Sequence, residues 1–219
     1  SQLQRKMEEL APVLGMRFAR VVVATDRPKR PGESEGRPWY FKEKLQIRQF
    51  AENREHYVAN EIRPGNLQGL DMKAEVETKL EKRGVLWCEL HASWREHITD
   101  WVDRNMDGVT FRHVLLAPLT QREIQERMGQ EGLTGEKVVE REMFGRLVKR
   151  RTAGLDSASD EKLRVRAQDA VEDLNRRDDC DCVIVNHQGE ESPQWGAAKE
   201  FPTGEAGRVL SQFVQIYRS

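Results

Sequence analysis

Cysteine, net charge and long apolar runs are all scarce in this 219-residue sequence. Its three cysteines, Cys88, Cys180 and Cys182, are an odd number, and Cys180-x-Cys182 has neither metal-ligand spacing nor a second pair. Neither a disulfide framework nor a zinc module is expected, and the thiols read as incidental. The formal charge is only -1, from 36 basic and 37 acidic residues, which argues against a general nucleic-acid coat and makes any anion site local. No apolar stretch approaches the roughly 20 residues of a membrane span. The opening "SQLQRKMEELAPVLG" has no secretory core, so no membrane partner is expected and a cytoplasmic setting is read.

What is abundant is charge of both signs, 33% of residues, laid over alternating helix and strand signals. Leu3, Met7, Leu10 and Leu14 recur at helical spacing up to Gly15, and "RFARVVVATD" reads as a short buried strand. The stretch "FKEKLQIRQFAENREHYVANEI" is ambiguous, with a turn at Pro64-Gly65. Asp71 caps a helix that ends at Gly84, followed by the strand "VLWCEL", the helix "SWREHITDWVDRN" and the strand "FRHVLLAPL". Thr120 with Glu123 forms a capping-box pattern, a charged helical region runs from about 136 to 177 broken by "TAGLDSAS", and "CDCVIVN" is a further strand. Strands alternating with helices predict an α/β fold with a parallel sheet flanked by helices. In such sheets ligands sit beyond the carboxyl ends of strands, where the loop 24–41 lies. Its Arg27, Lys29 and Arg30 read either as a solvated turn or as guanidinium forks for a phosphate.

The pattern Thr25-x-Arg27-Pro28-x-Arg30-x-Gly32-Glu33-x-x-Gly36-x-x-Trp39-x-Phe41 resembles the acceptor-nucleotide loop of guanylate kinases, T-T-R-x-x-R-x-G-E-x-x-G-x-D-Y-x-F. The resemblance implies that Arg27 and Arg30 hold an acceptor phosphate, with Glu33 in the same loop. Trp39 takes the position of a phosphate-binding tyrosine, and Tyr40 beside it is the one hydroxyl at hand. "VKRRTAG" followed by "SASDEKLRVRAQDAVEDL" resembles the family's lid, and by that resemblance Arg150, Arg151 and Arg166 are the catalytic candidates. "CDCVIVN" resembles the strand whose asparagine lies beside the ATP base, which makes Asn186 the cofactor-side candidate. Of Arg164 and Arg166, two apart on a helix, only one can face the site, and the family's spacing favours Arg166.

Departures limit what the resemblance implies. Gln68-Gly69-Leu70 stands where Y-G-S/T is expected, Glu89 and His91 where an acidic pair is expected, and no G-x-x-G-x-G-K-S/T phosphate loop occurs in the chain. The expectation is therefore a guanylate kinase-like domain over 1–186, with an acceptor loop at 24–41, a lid at about 147–170 and a C-terminal extension, 187–219, packed on the core. Its function would be transfer of the γ-phosphate of ATP to a nucleoside monophosphate or related phosphorylated acceptor, with no activity from the chain as given. ATP and Mg2+ are implied by resemblance alone, since no carboxylate cluster marks a metal site. Two alternatives stay open: a non-catalytic module that binds a phosphorylated or acidic partner, and a sugar-phosphate kinase. The sequence carries no expectation about oligomeric state.

Overall fold

The opening helix, α1 (Gln2–Leu10), buries Leu3, Met7 and Leu10 as their spacing predicts, but it buries Lys6 as well. The Lys6 ammonium is satisfied by two backbone carbonyls, Ala197 O and, at 2.9 Å, Glu200 O, with the Glu9 carboxylate 3.4 Å away. A fully buried lysine is tolerable only when such acceptors replace its water. This computed structural model describes residues 2–29, 33–36, 38–63 and 65–218, which form two units, one of 16–111 and one of 1–15 with 112–219.

In the unit 16–111 the expected strand "RFARVVVATD" is split into β1 (Ala19–Arg20) and β2 (Val23–Thr25), which belong to different sheets. At the junction Val21 N still donates to Trp87 O at 2.9 Å, while Val22 N, which points to the opposite edge, donates to Glu75 Oε2 at 2.6 Å. Beyond the break come β3 (Ser34–Glu35), β4 (Pro38–Phe41), β5 (Tyr57–Arg63), β6 (Asn66–Asp71) and β7 (Leu86–Trp87). β1 pairs with β7 in parallel, while a five-stranded mixed sheet has the order β3-β4-β2-β6-β5. β4 runs parallel to β2, and the β5–β6 hairpin is antiparallel, joined at the turn expected around Gly65.

The stretch that was ambiguous in sequence supplies α2 (Lys44–Phe50) as well as β5, and Glu43 with Gln46 closes a reciprocal cap at its start. The helix expected from Asp71 begins as a π-turn, Met72–Glu77, before continuing as α3 (Thr78–Arg83). Asp71 Oδ1 accepts from Ala74 N at 2.8 Å, and Gly84 ends the helix at φ 76°. One face of the sheet packs Val21, Val23, Leu70 and Met72 against Trp94, Ile98, Trp101 and Val102 of α4 (Trp94–Asn105). On the other face α2 lies so close to β6 that a Cβ on Gly69 would stand 2.8 Å from Phe50 Cε2 and 2.9 Å from Ile47 Cγ2.

In the other unit β8 (Val114–Ala117) and β9 (Cys182–Val185) form a parallel pair, as the strand–helix alternation predicts. Between them run α5 (Gln121–Glu131), α6 (Gly135–Thr152) and α7 (Asp160–Asn175), with Leu119, Ile124, Val138 and Val139 as their buried cluster. The C-terminal α8 (Gly204–Arg218) packs on α1 through an apolar stripe that buries Val209, Leu210 and Phe213. Arg146 of α6 pins the carboxyl ends of both strands. It donates to Asn186 O at 2.6 Å and Pro118 O at 2.8 Å, while its Nε holds Glu142 at 2.8 Å.

Two substitutions test these packing arguments. Gly69→Ala overpacks the α2–β6 contact and lowers stability by about 1–3 kcal/mol, read from the urea midpoint. Combined with Phe50→Ala, the loss is smaller than the sum of the two single losses, because the ring that the new methyl strikes is gone. Arg146→Lys replaces a fork by a single ammonium, leaves one strand-end carbonyl without its donor, and costs about 1–3 kcal/mol in the same assay.

Candidate functional site

The loop after β2 is held at its root by Asp26, whose N–H donates to Leu67 O at 3.1 Å while its Oδ1 accepts from Leu67 N at 3.0 Å. Thr25, fully buried, turns its hydroxyl to the Arg27 N–H at 3.4 Å. Arg27 is thereby aimed over the aromatic residues of β4, its guanidinium carbon 5.5 Å from the Trp39 ring centroid and 5.4 Å from that of Phe41. Its two terminal nitrogens grip Glu33 fork to fork, Nη1 to Oε2 at 2.8 Å and Nη2 to Oε1 at 2.6 Å. A carboxylate thus already occupies the bidentate geometry that suits a phosphate. Of the residues expected here, Arg27, Glu33 and Trp39 are brought together, and Arg30 lies outside the described residues.

Tyr40 is not part of this group. Side chains alternate along a strand, and where Trp39 faces the core, Tyr40 lies on the other side of the sheet with its hydroxyl 3.4 Å from Glu75 Oε1. Burial first, then the Glu75 charge and hydrogen bond, push that phenol pKa up, so Tyr40 is a donor fixed on a structural carboxylate. It lines a cavity of about 260 Å3 with Val22, Phe50, Gly69 and Glu75. Gln68, where the resemblance expects a tyrosine, accepts the Trp94 indole N–H at 3.1 Å. His91 Nδ1 lies 3.2 Å from Ser93 N and 2.9 Å from Ser93 Oγ, and Asn60 Nδ2 donates to the same hydroxyl at 2.9 Å.

In the unit of 1–15 and 112–219, each lid arginine holds an acid. Arg150 reaches Glu190 at 3.3 Å, Arg151 pairs with Asp160 and also donates to Ala158 O at 3.3 Å, and Arg166 pairs with Asp156. Arg164 points elsewhere, its guanidinium 4.6 Å from the Phe144 ring centroid. Asp156 is the point on which two of the arginines bear. Burial alone would raise its pKa, but the Ala158 N–H at 3.0 Å, the Arg166 guanidinium and the Arg150 charge hold it below the ordinary value. Asn186 turns its Oδ1 back to Gln188 N at 3.0 Å.

Several residues of this unit escaped the sequence reading. Arg146 sits one turn after Glu142 and looks like any exposed helical ion pair until the strand ends are seen beneath it. Glu123 was visible only as half of a capping box, and the box is present, with Thr120 N donating to Glu123 Oε2 at 2.7 Å. The same Oε2 also lies 3.0 Å from His187 Nε2, a partnership 64 residues apart that no local spacing signals. Among the described residues no group of three or more His, Cys, Asp or Glu side chains is arranged to hold a metal ion. No described helix is long and apolar enough to cross a membrane.

No family model matches the chain. In a search of curated proteins it is 28% identical over 189 residues to "Guanylate kinase 2, chloroplastic/mitochondrial" of Oryza sativa subsp. japonica, covering 85% of this chain and 53% of the relative. The chain therefore spans about half the length of the curated relative it matches. Among solved structures, guanylate kinase from Anaplasma phagocytophilum superposes with a TM-score of 0.52 at 17% identity, over 95% of this chain and 78% of that one. The mixed α/β architecture corresponds to that fold. Sequence motifs, the plant relative and the fold point the same way: the chain is similar to guanylate kinases in sequence and shares their fold.

Proposed function

We propose that the protein acts in phosphoryl transfer from ATP to a nucleoside monophosphate or a related phosphorylated acceptor, with Arg27 as the anchor of the acceptor phosphate. The observation that carries this reading is the Arg27 fork, braced over Trp39 and Phe41 and closed on a carboxylate at the carboxyl end of β2. A guanidinium so placed is preorganised for an oxyanion, because its orientation is fixed before the ligand arrives. The incoming phosphate displaces Glu33, exchanging one bidentate acceptor for another of higher charge. Glu33 then sets a threshold that weakly bound anions do not pass.

Phosphoryl transfer asks the protein mainly for positioning and for neutralising charge on the transferred oxygens. ATP supplies the phosphoryl group when bound. Arg150, Arg151 and Arg166 suit that neutralising task chemically, and the carboxylates of Glu190, Asp160 and Asp156 keep them ordered in its absence. Among the described residues no cluster of His, Cys, Asp or Glu side chains offers a magnesium ion a ready ligand set.

One observation favours a second reading. Arg27 binds a carboxylate here, which is the chemistry an acidic or phosphorylated protein segment would offer to a non-catalytic module. Calorimetric titration of nucleoside monophosphates and of a phosphoserine peptide separates the two. On the kinase reading a monophosphate binds, and Arg27→Ala weakens it by about 1.5 to 3 kcal/mol, roughly 10- to 150-fold. Glu33→Gln tightens it, because the competing carboxylate charge is gone. Binding of the peptide alone selects the module, and failure of every phosphorylated small molecule to bind removes the kinase reading.

A further inference from the structure

His187 opens the turn that follows β9, directly after Asn186, and both of its ring nitrogens face carboxylates. Nε2 lies 3.0 Å from Glu123 Oε2 at the start of α5, and Nδ1 contacts Glu205 Oε1 at the start of α8. An ionised carboxylate can only accept, and a neutral imidazole has one N–H to give. Only the imidazolium satisfies both contacts, because the neutral ring must turn a lone pair towards one of the two acids.

We propose that His187 is a proton-operated latch, which as imidazolium ties the first turns of α5 and α8 to the turn after β9 and as neutral imidazole releases one of them. The surrounding groups fit that role. From α5, Glu123 is otherwise held by Thr120, through its N–H and hydroxyl, both at 2.7 Å. From α8, Glu205 receives the His187 N–H at 3.1 Å and Arg208 Nη2 at 3.1 Å, and Arg208 also donates to Val185 O. From the turn itself, Gln188 Nε2 donates to Glu205 Oε2 at 3.0 Å. Two acids thus face two cations, His187 and Arg208. Loss of the imidazolium charge leaves an excess of one carboxylate in a half-buried cluster, a device of the kind through which histidine responds near neutral pH.

The electrostatics agree in sign. Burial opposes the charged ring, but the Glu123 and Glu205 hydrogen bonds and charges outweigh it and raise the His187 pKa above 6.5. Burial likewise opposes ionisation of the acids, yet Thr120 and His187 bring Glu123 down to about 2, and Gln188 and His187 lower Glu205. A raised imidazole contributes stability that is complete below 6.5 and is lost as pH rises through the folded value. The depressed acids contribute above 4.5, and for Glu123 that contribution is lost as pH falls through about 2. The latch is fully closed between these limits, from about pH 4.5 to 6.5.

The test is a proton NMR titration of the full chain, with the His187 signal assigned among the five histidines by its loss in His187→Gln. Amide hydrogen exchange of residues 123–127 and 205–210 is followed in parallel and corrected for intrinsic rates. The latch requires His187 to titrate above 6.5 and to move down towards it in Glu123→Gln. Protection at one of the two first turns then falls by up to about tenfold per pH unit between 6.5 and the folded value, and His187→Gln abolishes this pH dependence. A His187 that titrates at or below 6.5, or exchange profiles with the same pH dependence in wild type and His187→Gln, would overturn it.

Discussion

A carboxylate buried beside the junction of β1 and β2 governs the unit 16–111. Glu75 takes the Val22 N–H, receives the Lys79 ammonium, and lies within reach of the Tyr40 hydroxyl. Each contact draws a different part of the chain to one point: the break between β1 and β2, the helix that follows the π-turn, and the outward face of β4. Lys79 in turn donates to Arg20 O at 2.9 Å, so the last carbonyl of β1 is secured by the same ion pair. Past this junction β2 runs in the mixed sheet, and Arg27 emerges just beyond its end. Buried ion pairs are weak sources of net stability but strict about geometry, since removing one partner strands the other.

Arginine–carboxylate pairing recurs at the described arginines for which the resemblance implies anion binding. Arg27 with Glu33, Arg150 with Glu190, Arg151 with Asp160 and Arg166 with Asp156 are each neutral as a pair. Affinity for an anion at any of these arginines is therefore a difference between two acceptors, the ligand and the resident acid. Where the acid is anchored elsewhere, as Asp156 is by the Ala158 N–H, displacement is harder than where it sits in a loop, as Glu33 does.

Helices were legible in the sequence because their ends are chemical. Thr120 with Glu123, Asp71 and Gly84 act at the termini where their residue types predict, and Leu3, Met7 and Leu10 mark the buried stripe of α1. The loop 24–41 could be found because its residues are fixed relative to one another, and Arg27 and Glu33 do meet across it. What could not be read was any contact made at long range by a side chain. Glu75 accepts a backbone N–H 53 residues away, Arg146 closes strand ends 28 and 40 residues away, and His187 bridges 64 residues to Glu123. Periodicity reports which face of an element is apolar and is silent about a polar group whose partner lies in another element. Tyr40 illustrates the same limit, since one step along β4 puts it on the far side of the sheet from Trp39.

Lys6 gives the unit that contains it an internal marker. Its ammonium is sealed by α1 and by the carbonyls of Ala197 and Glu200, so reagents that acylate surface amines have no route to it while the segment 197–200 is in place. Modification at this nitrogen therefore reports departure of that segment from α1, a local opening that spectroscopy of the whole chain averages away.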